Sequence, residues 1–400
     1  MGMLRRIVDA IDPVETRSMV GADHLMPAML AGTRPVNARL AENLSMVLAP
    51  VSAIATALSS LPVWVYRRTP AGRVADENHP IMRLVREGPN PHQSWPDFME
   101  FIVASILLRG NGVSEIVADN GTGEIRELRA FPWSDVAIQL LGNGRLAYDV
   151  SDTNGLYYGA IGRTRRLLQD QVLHIRDRSD DGLIGRSRLS RCASVVSVAL
   201  AVQEFSASLY ENGINPSGAL EVEGKLSPEA LKQLAKNFRE AFTGSHNAAR
   251  TLVLDQAVKW KQISISPEDA EMLATRRFSG EELARLYQVP PPIVGDLTHG
   301  TFTNSETLIR FFAQSTLSSW CRKIEAAFMR SLLSESDRQT HEIEIDLSGL
   351  LRGDPETRWA SHKIAVDARI LTPNEIREEE GWNPRPGGDE FPAAAAGATS

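Results

Sequence analysis

The stretch from Phe278 to Leu333 constrains the fold more than any other part of the sequence. A short helical pattern over 280–287 meets Pro290-Pro291-Pro292 and must end there, because proline cannot donate to the helical ladder and restricts the residue before it. A polar segment, 296–304, follows, and Ser305 is a suitable N-cap for a much longer helix. The apolar side chains of that helix form one stripe: Leu308, Phe312, Leu317, Trp320, Ile324, Phe328 and Leu332. The pattern predicts a polar segment held between two packed helices, which favours contact with another molecule.

Length and composition indicate a globular protein with more than one packed region. The chain has 400 residues, with 42% hydrophobic and 23% charged residues. Its net charge of −7 argues against a surface that grips nucleic acid over its whole extent, although local basic patches are compatible with it. Cys192 and Cys321 are too few for a disulfide scaffold, so we expect a reducing compartment and buried, unreactive thiols.

The remaining pattern predicts an α+β fold built around an antiparallel sheet. Short apolar-alternating runs follow Gly110, namely VSEIVAD, IRELRAF, DVAIQL, RLAYDV, LYYGAI (156–161) and QVLHIRD. Turn dipeptides such as Asn120-Gly121 and Asn154-Gly155 separate them, which is typical of antiparallel hairpins. Residues 213–265 have the pattern of a small α/β unit with a helix over 227–242, and 341–351 alternates as a strand.

Two further segments, 36–60 and 187–212, have the apolar spacing of helices. The second carries a seam of alternating three- and four-residue steps: Val195, Val198, Val202, Phe205 and Leu209. Such a seam packs either inside the core of its own chain or against identical neighbours. The sequence alone leaves both alternatives open.

Sequence signals for an enzyme are absent. The chain contains no phosphate-binding G-x-x-x-x-G-K-[ST], no G-x-S-x-G elbow, and no H-E-x-x-H or C-x-x-C spacing. The acidic run of Glu375 and 378–380 is typical of a solvated helix face. We therefore expect no catalytic residue, no cofactor and no metal site.

Arginines are concentrated between 163 and 191. A local positive patch there, with Arg163, Arg165, Arg166, Arg186 and Arg188 as its candidate residues, could meet DNA phosphates or an acidic protein partner. The alternative is pairing with carboxylates of the same chain at a strand-to-helix junction. Aromatic residues of the kind that stack on single-stranded bases are missing from this stretch.

The run from Asn43 to Tyr66 carries no formal charge, but a membrane span is not expected. Serines, Pro50 and Pro62 interrupt the run, and it divides into a helix and a strand. The first residues also lack the apolar core of a signal peptide. Two other function classes remain as alternatives: a nucleic-acid-processing enzyme, which the missing motifs oppose, and a peripheral membrane protein that would use the helix at 36–60.

Several short phrases follow one another in a fixed order along the sequence: Asn78-His79-Pro80, Pro89-Asn90-Pro91, Leu107–Gly112, Val172–Arg176, Asp181–Ser187, Asn212–Gly218, Arg277–Tyr287, Val289–Gly295 and Leu371–Glu375. By these phrases and their order the sequence resembles the portal (head–tail connector) proteins of tailed bacteriophages and of gene transfer agents. The resemblance covers about residues 36 to 385.

Carried over by position, the resemblance implies a division of the chain into named parts. These are a flexible arm (1–35), a wing (36–186), a stem helix (187–212), a clip (213–265), a returning stem helix (266–295), a tunnel loop (296–304), a long wing helix (305–340), a wing strand with a short crown (341–385) and a disordered tail (386–400). The loop residues expected to face DNA are Asp296, Thr298, His299, Thr301, Thr303 and Asn304.

The same resemblance implies a structural protein rather than an enzyme. Its members form homo-oligomeric rings, usually of twelve subunits, around a channel through which double-stranded DNA enters and leaves the capsid. The implied partners are other copies of the chain, DNA, the large terminase, the major capsid protein and the head–tail adaptor, with no membrane. The implied location is the portal vertex of the virion, after assembly in the cytoplasm of the bacterial host.

Overall fold

The computed structural model describes residues 37–70, 72–119, 121, 123–211, 218–222, 229, 258–262, 280–295, 305–351 and 355–391. Within these ranges the chain combines helices with antiparallel sheets, which confirms the predicted α+β class. The arm 1–35, the helix expected at 227–242 and the segment 296–304 lie outside the described residues, apart from Glu229.

The helices and strands alternate along the chain. The helices are Ala38–Ala41, Ser45–Ser59, Pro80–Glu87, Trp95–Arg109, Arg188–Arg191, Ala193–Glu211, 280–287, Ser305–Phe312, Ser318–Leu332, Asp337–Thr340, Ser348–Leu351, Pro355–Asp367 and Pro373–Glu379. The strands are β1 Val63–Thr69, β2 Gly72–Ala75, β3 Asn111–Ala118, β4 Ile125–Phe131, β5 Val136–Leu140, β6 Leu146–Asp152, β7 Arg163–Leu168, β8 Val172–Arg176, β9 Gly218–Val222, β10 Val258–Gln262 and β11 His341–Ile345.

The larger core lies between helices and two sheets. Strand β1 pairs with β2 and with β11, and buries Val63 and Val65 toward the helices. Helix Ser45–Ser59 packs against helix Trp95–Arg109, while helix Ser318–Leu332 lies across both β8 and β11. Ser94 starts helix Trp95–Arg109 with a capping box, in which the Asp97 carboxylate accepts from the Ser94 N–H at 3.1 Å.

The smaller core lies between two three-stranded sheets of order β4-β3-β8 and β5-β6-β7. Its members come from both sheets and from the turn after β6: Val113, Phe131, Leu146, Tyr148, Val150, Tyr158, Leu167 and Val172. All the strand pairs are antiparallel, as the turn dipeptides predicted.

The strand predicted over 156–161 is wrong. The Asp152 carboxylate accepts hydrogen bonds from the backbone N–H groups of Leu156, Tyr157 and Tyr158, at 3.0, 2.6 and 2.7 Å, which bends this segment into turns. The strand that pairs with β6 is instead β7, whose only buried side chain is Leu167. Its composition is polar, so hydrophobic alternation could not reveal it.

Three other predicted elements are shorter or interrupted. The helix expected over 36–60 breaks at 42–44, where the buried Leu44 has an extended backbone, and the helix over 187–212 is interrupted at Cys192. The strand expected over 341–351 ends at Ile345, since the Asp346 carboxylate accepts from the Ser348 N–H at 2.7 Å and opens a helical turn. The long helix after Ser305 contains a π-helical turn, Ala313–Leu317.

A close backbone crossing joins the end of helix Trp95–Arg109 to the chain leaving β8. A Cβ atom on Gly185 would lie 2.0 Å from the Gly110 carbonyl oxygen, so only glycine fits. The Asn111 amide holds the crossing, because it accepts from the Gly185 N–H and donates to the Gly185 carbonyl, both at 2.8 Å. Ser187, the N-cap of helix Arg188–Arg191, donates to the Leu108 carbonyl at 2.7 Å. The start of this helix is thereby fixed to the core.

None of the described helices has both the length and the apolar character that a membrane crossing requires. The described part of the predicted tail folds back on helix Pro373–Glu379, since the Asn374 N–H donates to the Gly388 carbonyl at 2.9 Å. Residues 392–400 lie outside the described ranges.

Candidate functional site

The candidate site is built around the two ends of segment 296–304, which itself lies outside the described residues. Before it, the proline run forms a 3-10 helix, Pro291–Val294, which ends at Gly295 in the left-handed region with a φ of 86°. After it, helix Ser305–Phe312 begins. The 3-10 helix lies against helix Ser45–Ser59, and both flanks border an apolar groove of about 650 Å³ that this helix also lines. Each end of the segment therefore starts from a packed element.

A hydrogen bond ties the end of helix 280–287 to the long helix. Gln288, which follows helix 280–287, has a left-handed φ of 59°. Its carbonyl accepts from the Thr316 hydroxyl at 2.7 Å, and Thr316 is 1% exposed. Thr316 lies in the π-helical turn, and such turns change the direction of the side chains that follow them. This hydrogen bond thus joins the end of helix 280–287, just before the prolines, to the π-helical turn of the long helix.

Arg188, the first residue of helix Arg188–Arg191, connects this contact to the end of β8. Its guanidinium donates to Asp177 Oδ2 at 2.6 Å and to the Leu286 carbonyl at 3.0 Å, and lies 5.2 Å from the Trp320 ring centre. The Lys323 Nζ is 3.6 Å from Asp177 Oδ1. Burial alone raises the pKa of Asp177, but the hydrogen bond and charge of Arg188 outweigh it, so the pKa lies below its ordinary value. The carboxylate is charged at neutral pH.

We call this set of residues the anchor cluster: Asp177, Arg188, Gln288, Thr316, Trp320 and Lys323. It joins the end of β8, helix Arg188–Arg191, the residues before segment 296–304 and helix Ser318–Leu332. Sequence reasoning singled out Arg188 and Trp320 but missed the other four. The only signal for this cluster in the sequence was the excess of arginines near Asp177. Pairing of these arginines with carboxylates of the same chain was one of its two interpretations.

The predicted arginine patch is divided between two places. Arg163, Arg165 and Arg166 lie on β7, where Arg165 binds the buried Glu115 carboxylate at 3.1 Å and Arg166 binds Asp149 at 2.8 Å. Arg186 binds Asp180 at 3.2 Å, beside the anchor cluster. Internal pairing, the alternative drawn from the sequence, is therefore present at both places. A role of these arginines toward DNA or a partner stays a prediction.

The predicted helix seam is only partly covered by its own chain. On helix Ala193–Glu211 the core side is formed by Val196 and Ala199, which are 0% and 5% exposed. Val198 and Phe205, seven residues apart, are 49% and 58% exposed. Val195 and Val202 are partly buried, and the Leu209 side chain is outside the described set. One face of this helix thus carries two large apolar side chains that are about half exposed.

No group of three or more metal-ligating side chains occurs among the residues that the structure describes. Cys321 is buried, as predicted, and burial raises the pKa of its thiol to about 12, which keeps it protonated. Cys192 is half-exposed, contrary to the expectation of burial.

Comparison with known proteins gives one consistent family. The family model described as phage portal protein matches residues 45–381. The portal protein of Enterobacteria phage HK97 is 28% identical over 363 residues, covering 90% of this chain and 83% of the relative.

Solved structures agree with the family match. A chain from the virion of a native gene transfer agent particle aligns with a TM-score of 0.60 and 25% identity, covering 91% of this chain and 99% of that one. A chain from the neck of the native particle, computed with C12 symmetry, aligns with a TM-score of 0.57 and 24% identity, covering 86% and 91% of the two chains.

Proposed function

The chain belongs to the phage portal protein family, and from that premise we propose that it forms a ring of identical copies around a channel for double-stranded DNA. The observation that carries this proposal is the family match over residues 45–381, which includes the anchor cluster and both flanks of segment 296–304. The aligned chain from a gene transfer agent virion supports a role in such a particle. The proposed role is structural: the particle is a virion, and assembly takes place in the host cytoplasm.

We propose twelve copies in the ring. The C12 symmetry of the neck with an aligned chain supports this number. The open face of helix Ala193–Glu211 supports contact between copies, because Val198 and Phe205 are large apolar side chains that one chain alone leaves exposed. In a ring, a head-to-tail contact closes on itself and can cover such a face in every copy.

We propose that segment 296–304 of each copy faces the channel and touches passing DNA. The 3-10 helix before it packs against helix Ser45–Ser59, and Gln288 is hydrogen-bonded to Thr316 of the anchor cluster, so the segment starts from a well-packed part of the chain. Its side chains include threonines, Asn304, His299 and Asp296, but no lysine or arginine. Such a surface contacts phosphates without the strong attraction that a basic one would exert, and the net charge of −7 per copy has the same effect.

The other parts of the chain have proposed partners of their own. The wing, which contains most of the two cores, would sit in the capsid shell against the major capsid protein. The clip at 213–265, whose described part consists of β9, Glu229 and β10, would receive the large terminase during packaging and the head–tail adaptor afterwards. In this arrangement the energy for packaging comes from a separate ATPase. The positive residues on β7 are proposed contacts for DNA or a partner.

Native mass spectrometry and electron microscopy of the purified chain test the ring. The unmodified chain should form closed rings, while Val198→Asp should give folded monomers, because it places a charge on the exposed face at a side chain that is 49% exposed. Gln203→Asp, on an exposed position of the same helix, is the matched control and should keep the rings. Rings that survive Val198→Asp would exclude this face. A wild-type chain that stays monomeric at all concentrations and in particles would overturn the proposal.

A further inference from the structure

The two last described helices, Pro355–Asp367 and Pro373–Glu379, form a hairpin that is poorly buried by its own chain. None of the described residues after 355 belongs to either hydrophobic core, and Ile376 is the only large apolar side chain among them that is buried. Trp359, Trp382 and Phe391 are 42%, 51% and 42% exposed. A unit this small does not bury enough apolar surface to be stable alone. It therefore needs a covering partner.

The hairpin contains an apolar pocket of about 340 Å³ that Trp359 and Trp382 help to line. The rings of Trp359 and Trp382 are 5.7 Å apart and tilted by 41°, and Ile376 and Val366 also line the pocket. A pocket of this size with aromatic walls suits one inserted side chain, most favourably an aromatic one.

Cationic side chains outnumber acidic ones in the lining of this pocket. Glu380 is neutralised within the hairpin, since its Oε1 lies 2.9 Å from both Arg358 and His362. By contrast, no carboxylate of the described residues forms an ion pair with Lys363, Arg377 or Arg385, which also line the pocket. Asp367 is the one other acidic residue in the lining. The surplus of cations, on a chain of net charge −7, favours an acidic group beside the inserted side chain.

The chain carries a matching pair of residues, Glu390 and Phe391, but holds them away from its own pocket. Asn374, at the start of helix Pro373–Glu379, donates to Asp389 Oδ1 at 2.9 Å and accepts from the Arg385 N–H at 2.9 Å. These bonds hold residues 385 to 389 at the start of the helix, and Phe391 is not among the residues that line the pocket. One hairpin thus presents two different, complementary surfaces, which is the requirement for a head-to-tail contact between copies.

We propose that the tryptophan pocket receives Phe391 of the neighbouring copy, with the Glu390 carboxylate of that copy among Lys363, Arg377 and Arg385. This inference rests on the proposed ring, in which each hairpin would give its Glu390–Phe391 to one neighbour and accept the same residues from the other. The contact covers the exposed Trp359 and Trp382 of each copy. It also links the hairpins of neighbouring copies into a continuous circle.

Cysteine cross-linking in assembled rings tests the contact. In a Cys192→Ser background, the pair Lys363→Cys and Glu390→Cys should form disulfides between copies under mild oxidation. The expected result is a ladder of dimers and higher multimers on a denaturing gel, which reductant abolishes. Lys363→Cys alone and the pair Lys363→Cys with Glu378→Cys are the controls, because Glu378 is exposed but does not line the pocket, and both should give monomers only.

The cross-linking result separates this contact from the ring itself. Rings seen by microscopy with a cross-linked ladder support the contact, and Phe391→Ala should reduce that ladder at least about tenfold. Rings without a ladder, or a ladder equal to that of the Glu378→Cys control, would overturn the contact and leave the proposed function intact. Absence of rings in the wild-type chain would instead overturn the proposed function on which the contact rests.

Discussion

Replacing Arg188 by methionine should lower the free energy of unfolding. The loss should be larger than for an arginine of the 163–191 stretch whose ion pair lies at the surface. Arg188 and Asp177 are 16% and 4% exposed in their side chains, so their ion pair is almost dry. Removing one partner of a buried pair costs about 3–5 kcal/mol, since the other charge stays buried without compensation. Methionine keeps most of the side-chain length and apolar contact, so the loss reports on the charge and its hydrogen bonds.

The structure places the cost near the lower end of that range. After the change, the Asp177 carboxylate still accepts from the Arg178 N–H at 2.8 Å, and Lys323 remains 3.6 Å away. The Lys323 side chain is 46% exposed, however, so it compensates only in part. The Leu286 carbonyl also loses its donor. We expect a decrease of about 3 kcal/mol in the free energy of unfolding.

Arg166→Met is the matched control. It removes a two-pronged pair with Asp149 in which the side chains are 51% and 34% exposed, so its expected cost is about 0–1 kcal/mol. Both variants are compared by urea unfolding followed through tryptophan fluorescence, in the Val198→Asp background so that assembly adds nothing to the measured stability. The double change Asp177→Asn with Arg188→Met should recover part of the loss. Equal losses for Arg188→Met and Arg166→Met would refute the argument.

Three other changes test separate parts of the molecule. Deleting Thr298 to Thr303 should leave rings intact but impair DNA packaging or retention, and a normal packaged genome length would contradict the role of this segment. Val202→Asp should block ring formation, and rings seen by microscopy in this variant would place the contact face elsewhere on the chain. Burial lowers the pKa of His174 from 6.5 to about 3 in the folded chain. The contribution of the neutral imidazole to stability is therefore fully present above pH 6.5, and it is lost progressively as the pH falls toward 3. Between pH 7 and 5 the wild type should lose about 2 kcal/mol more than His174→Gln in urea unfolding, and parallel losses would contradict this.

The sequence predicted elements whose signals are local. The proline stop after 280–287 depends on backbone groups within a few residues, and it is present in the structure. The strands between turn dipeptides were likewise predicted because each hairpin has its own turn.

Elements that depend on distant partners were missed. Strand β7 is polar and forms only because β6 offers a free edge, while the apolar run before it is turned by the Asp152 carboxylate. The anchor cluster combines Asp177 and Arg188 with Thr316 and Lys323, which lie more than a hundred residues further along the chain. Excess arginines indicated pairing, but no periodicity or motif could name the partners.

The glycine crossing at Gly110 and Gly185 has a geometric consequence for an assembly of identical copies. It sets the direction in which the chain enters helix Arg188–Arg191, through backbone atoms and the Asn111 amide rather than through flexible side chains. In a closed ring every copy repeats the same departure angle, so a small error in one copy would accumulate around the circle. Because the crossing is formed by backbone atoms and one buried amide, its direction varies little and that error stays small. The curvature of the ring would then depend on the inside of each subunit as much as on the faces between subunits.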